Sequence, residues 1–303
     1  MRKAFIDTLV ELAESDKRIY LLTADMGYGL VEPFSEKYPD RFINVGVAEQ
    51  NMIGIATGLA LSGKIPFVYS IGNFPTLRGV EHIRSGICYH NLNVNIVAGN
   101  TGLTYGALGS SHHATEDIAI MRALPNMTVV VPSDVLEASL ATRAIVELEE
   151  PCYLRLGKAD WPRDSFTFRI GESRELIDGK DAALIATGWM RHNCMRATEE
   201  LYAVSGFQVR VINMHTIKPL DTEVIIKAAR ETKAIITIEE HSIIGGLGSA
   251  VAEVLAESGE PVYFKRMGIP DRFCSEVGTH DELLASCHLT VDDIVREVKD
   301  AIA

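Results

Sequence analysis

Residues 41–63, RFINVGVAEQNMIGIATGLALSG, constrain this chain more than any other stretch. Residues 41–47 form a short apolar run with β-branched members, which predicts a buried strand. From Ala48 onward, small and apolar residues (Met52, Ile53, Gly54, Ile55, Ala56, Gly58) cover nearly every side of a helix, and a helix apolar all round is a buried one. Glu49 is the one ionisable side chain where strand becomes helix. An isolated Glu at such a point is ordinarily a surface residue matched to the helix dipole, stabilised by about 0.3–1 kcal/mol. Here the helix has no polar face to carry it into water, and burying an unpartnered carboxylate is costly. No basic residue lies within a turn of Glu49, so its partner is expected from elsewhere, either another part of the chain or a bound molecule.

The same alternation continues along the chain. Strands are predicted at residues 19–23, 65–70, 93–98, 127–131 and 153–156, with helices between them at 4–15, at 33–38, from the 72–78 segment through Cys88, after Asp117, and at 133–149. After a stretch rich in Pro, Asp, Arg and Gly, strands at 182–187, 208–213, 234–239 and 261–267 alternate with helices at 193–205, 221–232, 248–258 and 291–301. Alternation of this kind predicts parallel sheets covered on both faces. The expected fold class is therefore α/β with two doubly wound domains, residues 1–160 and a smaller one at 181–303, joined by a linker at 161–180.

Bulk properties exclude more than they select. A formal net charge of -12 argues against a nucleic-acid partner. The five cysteines are scattered, with no Cys-x-x-Cys pair, which favours reduced thiols over disulfides or zinc. The first residues read as an amphipathic helix and not as a signal peptide, and no apolar run of membrane-spanning length is uninterrupted. A cytoplasmic protein without membrane contact is expected.

Several side chains have both a chemical and a plain reading. Asp25, in Ala24-Asp25-Met26-Gly27 at the end of a predicted strand, is either a turn residue or a ligand-facing one, since parallel sheets bind ligands beyond their carboxyl ends. Phe74 taken alone reads as a core ring. His112 and His113, with Glu116 and Asp117 one turn on, invite a metal reading that no further ligand run supports. The glycines of residues 99–109 and 245–248 lack both the Walker and the full G-x-G-x-x-G spacing, and tight turns explain them.

GVAEQNMIGIATGLALSG resembles the segment of transketolases and their relatives that carries the glutamate bound to thiamine diphosphate. The resemblance implies that Glu49 hydrogen-bonds N1′ of the aminopyrimidine; the shared proton drives the 4′-amino group to its imino form, which removes the thiazolium C2 proton. TADMG is similar to the loop bordering the thiazolium, which would place Asp25 in the cofactor pocket. IGNFPTLRGVEHIR is similar to the segment whose phenylalanine stacks on the aminopyrimidine, here Phe74. Many relatives carry an aromatic where this chain has Ile71, so the aromatic wall is expected to be thinner. SSHHATEDIAIMRALPNM is similar to the segment in which one histidine faces the substrate; His112 is the aligned position, with hydrogen bonding and proton transfer as its implied work. His113 fits a helix-capping role better.

The resemblance covers essentially the whole sequence, but only the pyrimidine-binding and C-terminal domains of a full transketolase. The Gly-Asp-Gly motif that, with a later Asn, holds the diphosphate through a divalent metal does not occur in the 303 residues. The chain thus looks like the C-terminal subunit of a split transketolase. The implied partner is a separate N-terminal, diphosphate-binding subunit that supplies most of the ligands to Mg2+ or Ca2+, in a dimer of heterodimers; no metal site of the chain's own is expected. The implied reaction moves a two-carbon ketol group from a ketose to an aldose. Rival readings are a 1-deoxyxylulose-5-phosphate synthase-like transferase, a 2-oxo-acid dehydrogenase beta subunit, and a structural paralogue without catalysis. Sugar-phosphate transketolases usually carry a phosphate-binding His and a substrate-contacting Glu-Asp pair in the loop matching residues 99–109. This chain has Asn100, Ala107 and Leu108 there, and Lys158 replaces an anion-binding Arg. A ketose other than the usual pentose phosphate is therefore expected, its terminal group phosphate, sulfonate or neutral.

Overall fold

The computed structural model describes residues 1–158 and 166–302. The larger sheet is built from β1 (Ile19–Thr23), β2 (Phe42–Asn44), β3 (Ile65–Ile71), β4 (Asn95–Gly99), β5 (Thr128–Val130) and β6 (Cys152–Leu156). The smaller holds β7 (Arg174–Ile177), β8 (Ala182–Ala186) and β9 (Val209–Asn213), joined after the excursion of β10 (Thr216–Lys218) by β11 (Ala234–Ser242) and β12 (Tyr263–Ile269). Their orders are β10-β5-β6-β4-β3-β1-β2 and β12-β11-β8-β9-β7. All neighbours run parallel except β10 against β5 and β7 against β9.

Two of these strands depart from the expected plan. β7 lies inside the stretch expected to be linker and pairs with β9, so only the part before it connects the domains; residues 161–165 of that stretch lie outside the described residues. β10 follows β9 in sequence yet crosses to the first sheet, where Thr216 pairs with Val130. The two sheets are interlocked, and they share a core. Successive residues of a strand face opposite sides. Leu22, Val68 and Ile96 on the first sheet and Ala183 and Ile185 on the second fall in one apolar cluster, closed by Met52, Ile118, Ile225 and Val251 from the helices between. Leu21, Phe67 and Val97, one register position away, pack instead under the Arg2–Ser15 and Val135–Glu147 helices.

The 41–63 stretch also differs from its expectation. β2 is an edge strand with no fully buried residue, not a buried one. The following helix, Glu49–Leu61, buries Glu49, Met52, Ile53 and Ala56 but exposes Asn51, Gly54, Gly58 and Leu61. A Cβ added at Gly54 or Gly58 would meet nothing within 4 Å. The apolar sequence does cover all sides of the helix; within this chain only one side is covered. The helix expected to run from the 72–78 segment through Cys88 is broken into Asn73–Leu77, Val80–His82 and a π-helical turn at Ile83–Cys88.

All five cysteines are free and buried, and among the described residues no helix is long and apolar enough to cross a membrane.

Candidate functional site

Because six strands of the first sheet are parallel, their carboxyl ends share one edge, and the chain leaves β1 and β3 toward opposite sides there. Such a reversal opens a crevice in which α/β sheets take ligands. Asp25 follows β1, Glu49 follows β2, Ile71 ends β3 with Phe74 just beyond, Asn100 and the His112 loop follow β4, and Lys158 follows β6.

Glu49 opens its helix with only 4 % of its surface exposed. Its partner is Arg78, whose Nη1 lies 2.9 Å from both carboxylate oxygens. Arg78 stands four residues after Phe74, a spacing that brings side chains together on a helix face, and its guanidinium lies 4.3 Å from the Phe74 ring centre. On another side of Phe74 is His112, with ring centres 5.4 Å apart, and Tyr105 lies 6.2 Å beyond His112. Asn73 fixes this meeting by donating its Nδ2–H to the carbonyl of Ser111 at 2.7 Å. A close backbone approach helps, because a Cβ at Gly72 would strike Ala114 and Thr101. A cavity of about 450 Å³ opens beside the carboxylate, lined by Val47, Ala48, Glu49, Gln50, Asn51 and Arg78.

The structure therefore gathers Glu49, Phe74 and His112 and adds Arg78 and Tyr105, which sequence reasoning missed. The signal for Arg78 was present as the four-residue step from Phe74. Asp25 sits at the same edge with a positive φ of 54°. It accepts the Tyr28 hydroxyl at 2.5 Å, and the Asn44 side chain accepts its N–H at 2.9 Å, tying the loops after β1 and β2. These two residues hold the Asp25 carboxyl below the usual carboxylate range, Tyr28 contributing most and Asn44 next. Ile71 is buried to 6 % exposure and does not line the cavity by Glu49. Lys158 stands apart. Its ammonium pairs with Asp281 at 2.9 Å and lies 4.7 Å over the Trp189 ring, in a groove of about 300 Å³ with His192 and Arg196.

The neighbours of His112 have other work. His113 does not cap the following helix; it is 4 % exposed, and burial pushes its pKa down. The Asp117–Ala123 helix instead receives His241 from the second domain, whose Nε2 accepts the Ala119 N–H at 3.3 Å. Burial holds His241 neutral, its pKa pushed down to about 4, as an acceptor there must be. Asp117, read in the sequence as a metal-ligand candidate, is consumed by a buried pair with Arg155 at 2.7 Å and by the Tyr153 hydroxyl. Among the described residues no three His, Cys, Asp or Glu side chains converge as a metal site.

A two-domain α/β protein with a sunken carboxylate, an aromatic platform and a histidine at one sheet edge is the class these observations define. Comparison narrows it. Residues 1–163 match the family "Transketolase, pyrimidine binding domain" and residues 171–294 match "Transketolase, C-terminal domain". An apulose-4-phosphate transketolase chain of Phocaeicola vulgatus, one subunit of that enzyme, is 40% identical over 92% of this chain and 90% of its own. A 6-deoxy-6-sulfo-D-fructose transketolase subunit of Clostridium sp. (strain MSTE9) is 41% identical over 98% of this chain and 92% of its own. A split-gene transketolase solved as an inactive beta4 tetramer superposes with a TM-score of 0.91 at 40% identity, over 99% of this chain and 97% of that one. The chain belongs to the transketolase family, a family of thiamine-dependent transferases, and corresponds to the C-terminal subunit of its split members.

The residues present fit the aminopyrimidine end of that cofactor. A buried carboxylate edges an open cavity and a half-buried aromatic ring adjoins it, which are the two things a flat, protonatable heterocycle requires.

Proposed function

We propose that this chain is the pyrimidine-binding subunit of a thiamine-diphosphate-dependent transketolase, which moves a two-carbon ketol group from a ketose to an aldose. In this reading it acts with a separate diphosphate-binding subunit, which holds most of the Mg2+ or Ca2+ ligands. The observation that carries the reading is the buried Glu49 carboxylate opening onto a cavity that Arg78 also lines, with Arg78 stacked on Phe74 and Phe74 set against His112. When bound, the cofactor supplies a nucleophilic carbon and a temporary store for electrons. Glu49 would take and return a proton at the pyrimidine ring, and Arg78, half exposed and stacked on Phe74, would have to move aside to admit that ring. Phe74 would offer the face on which that ring stacks. His112 reaches the substrate carbonyl as a hydrogen-bond donor, with Ser111 Oγ 3.0 Å from its Nδ1 fixing the imidazole. Asp25, at the end of β1 on the same sheet edge, would border the cofactor, while the buried Ile71 would act only by packing behind the site.

The open face of the Glu49–Leu61 helix supports a second chain packing against it, as does the exposure of Val47 (74 %) and Tyr28 (77 %) at the same sheet edge. The site would then close as a dimer of heterodimers. The test is to combine the chain with a diphosphate-binding partner and follow ketol transfer. Release of carbon dioxide from a 2-oxo acid without ketol transfer would favour the synthase-like or dehydrogenase readings instead.

For the donor, we propose a ketose other than the usual pentose phosphate. The two relatives named above differ at this point, one named for a 4-phosphate sugar and the other for a 6-sulfo sugar. Asn100, Ala107 and Leu108 bring no charge to the loop, and Lys158 is already matched by Asp281. Lacking a charged donor costs anion binding about 1.5–3 kcal/mol. Comparing specificity constants for xylulose 5-phosphate and for sulfonated or neutral ketoses decides the matter. Xylulose 5-phosphate as the best donor would refute this part.

A further inference from the structure

The loop bearing Tyr105 and His112 leaves β4 and returns to its own start, for Gly102 and Ala114 exchange both backbone hydrogen bonds at 3.0 Å. The closed ends of that loop rest on the second domain. Glu240 of β11, 4 % exposed, accepts the Leu103 N–H through Oε1 at 2.6 Å. Ser242 N–H donates to the Thr115 carbonyl at 2.8 Å, and Arg155 Nη2 joins the carbonyls of Ala114 and Glu240 at 2.8 and 3.0 Å. Leu103 itself, fully buried, belongs to the apolar core of the second domain, with Leu283 and Ile238.

The fit is tight where these contacts form. Gly102 has a φ of +65°, and any Cβ there would strike the Glu240 carboxylate; one at Gly106 would strike the carbonyl of Gly278. A second group converges on the same oxygen of Glu240. His280 Nε2 lies 2.8 Å from Oε1, with its ring 6.2 Å from Trp189. Thus one carboxylate oxygen takes both the backbone of the loop and an imidazole of the second domain.

We propose that Glu240 and His280 are positioning residues: through this pair the C-terminal domain sets the order of the loop that presents His112, and the hold weakens when His280 loses its proton. The proposal rests, for its effect on catalysis, on the reading of His112 given above; the latch itself does not. Charges around the pair are few. Arg155 and His113 face Glu240, while Lys158 and Asp281 face His280. Burial lowers the His280 pKa, but the charge and hydrogen bond of Glu240 together outweigh burial, so the net shift is upward from the ordinary imidazole value of 6.5. A neutral imidazole still donates a hydrogen bond, yet it no longer offsets a buried carboxylate.

Amide hydrogen exchange on the full chain, without cofactor or partner, tests the latch directly. In the wild type, protection of the amides of residues 103–113, corrected for intrinsic exchange, should fall about tenfold as pH rises through the titration of His280, which NMR of the imidazole locates. In His280→Gln and Glu240→Gln that pH dependence should vanish, with protection lowered throughout and the amides of β8 unchanged. Both replacements are close in shape, so a folded variant is expected from at least one. In the reconstituted enzyme the same variants should lower kcat more than they raise the cofactor's KM, and should flatten the alkaline limb of the kcat profile. Wild-type protection that ignores the titration, or unaltered protection in folded His280→Gln, overturns the proposal. A reconstituted pair with no ketol transfer would sink the functional reading and leave the exchange result standing.

Discussion

Glu49 was legible as an anomaly before it was legible as a site: a carboxylate at the head of a helix with no polar face. What the sequence hid was its companion. Arg78 is 29 positions away, and pairing over that distance depends on β2 and β3 flanking β1 in one sheet, which local periodicity does not encode. Phe74 and His112 were equally visible by pattern, but their 5.4 Å approach depends on Asn73 reaching the Ser111 carbonyl. Two substitutions test the pair of charges from either end. Glu49→Gln should keep the fold by circular dichroism, since an amide oxygen can still accept from Arg78, yet cannot pass a proton. Turnover of the reconstituted enzyme should drop at least a hundredfold, about 2.7 kcal/mol of barrier, and near-normal turnover would remove Glu49 from the chemistry. Arg78→Leu should act on stability first. It leaves a carboxylate that is 4 % exposed without its partner, a loss on the order of 1–3 kcal/mol readable in urea unfolding of the chain alone. A midpoint unchanged in urea would mean that water or another group replaces Arg78 without cost.

Element by element, the strands were the most readable part, because a parallel strand covered on both faces is a run of apolar residues whatever its neighbours do. The misses have a common physical cause. β7 and β10 are short, edge-bound and antiparallel, and neither has an apolar run to announce it. The His280–Ser286 helix is brief and polar at its start, although its Thr279–Glu282 capping box was a readable signal. Just before β10 comes His215, 2 % exposed, its ring 4.2 Å from Phe168 and its carbonyl bonded to Val131 N–H at 2.8 Å. Burial pushes its pKa down to about 4. A histidine held neutral in the folded state binds fewer protons than it does unfolded, so its stability contribution is complete above pH 6.5 and is lost as pH falls toward 4. The loss amounts to about 3 kcal/mol at most. Urea midpoints measured across that window should therefore fall with acidification, and His215→Phe should flatten the slope. An equal slope in a folded His215→Phe variant would place the acid sensitivity elsewhere, with His241 the next group to replace.

At the scale of the whole molecule, the two sheets share a core while one helix face is left bare, and that face is where the proposed assembly would take place. Inside the chain, β10 pairs with the first sheet and Glu240 bonds to the loop after β4, so the two domains are joined by strand pairing as well as by a shared core. Outside it, Asn51, Gly54, Gly58 and Leu61 form a low, mostly apolar strip beside Glu49, where a close-packed partner would deny water to the carboxylate. Glycine on a helix surface costs roughly 0.5–1 kcal/mol against alanine, and two of them on one face repay that cost only if another backbone comes near. The 303 residues also hold no Gly-Asp-Gly motif. Strip and missing motif lead to the same expectation. Alone, the chain should bind thiamine diphosphate poorly and transfer no ketol group; once a diphosphate-binding partner is added, binding and transfer should appear together, at one cofactor per pair of unlike chains. Calorimetry gives the first quantity and sedimentation the second. Gly54→Leu with Gly58→Leu should then separate surface from site, leaving the chain folded and Glu49 in place while weakening assembly and cofactor uptake in parallel. Tight cofactor binding by the isolated chain would refute the divided site, and full assembly of the double variant would move the interface to another face.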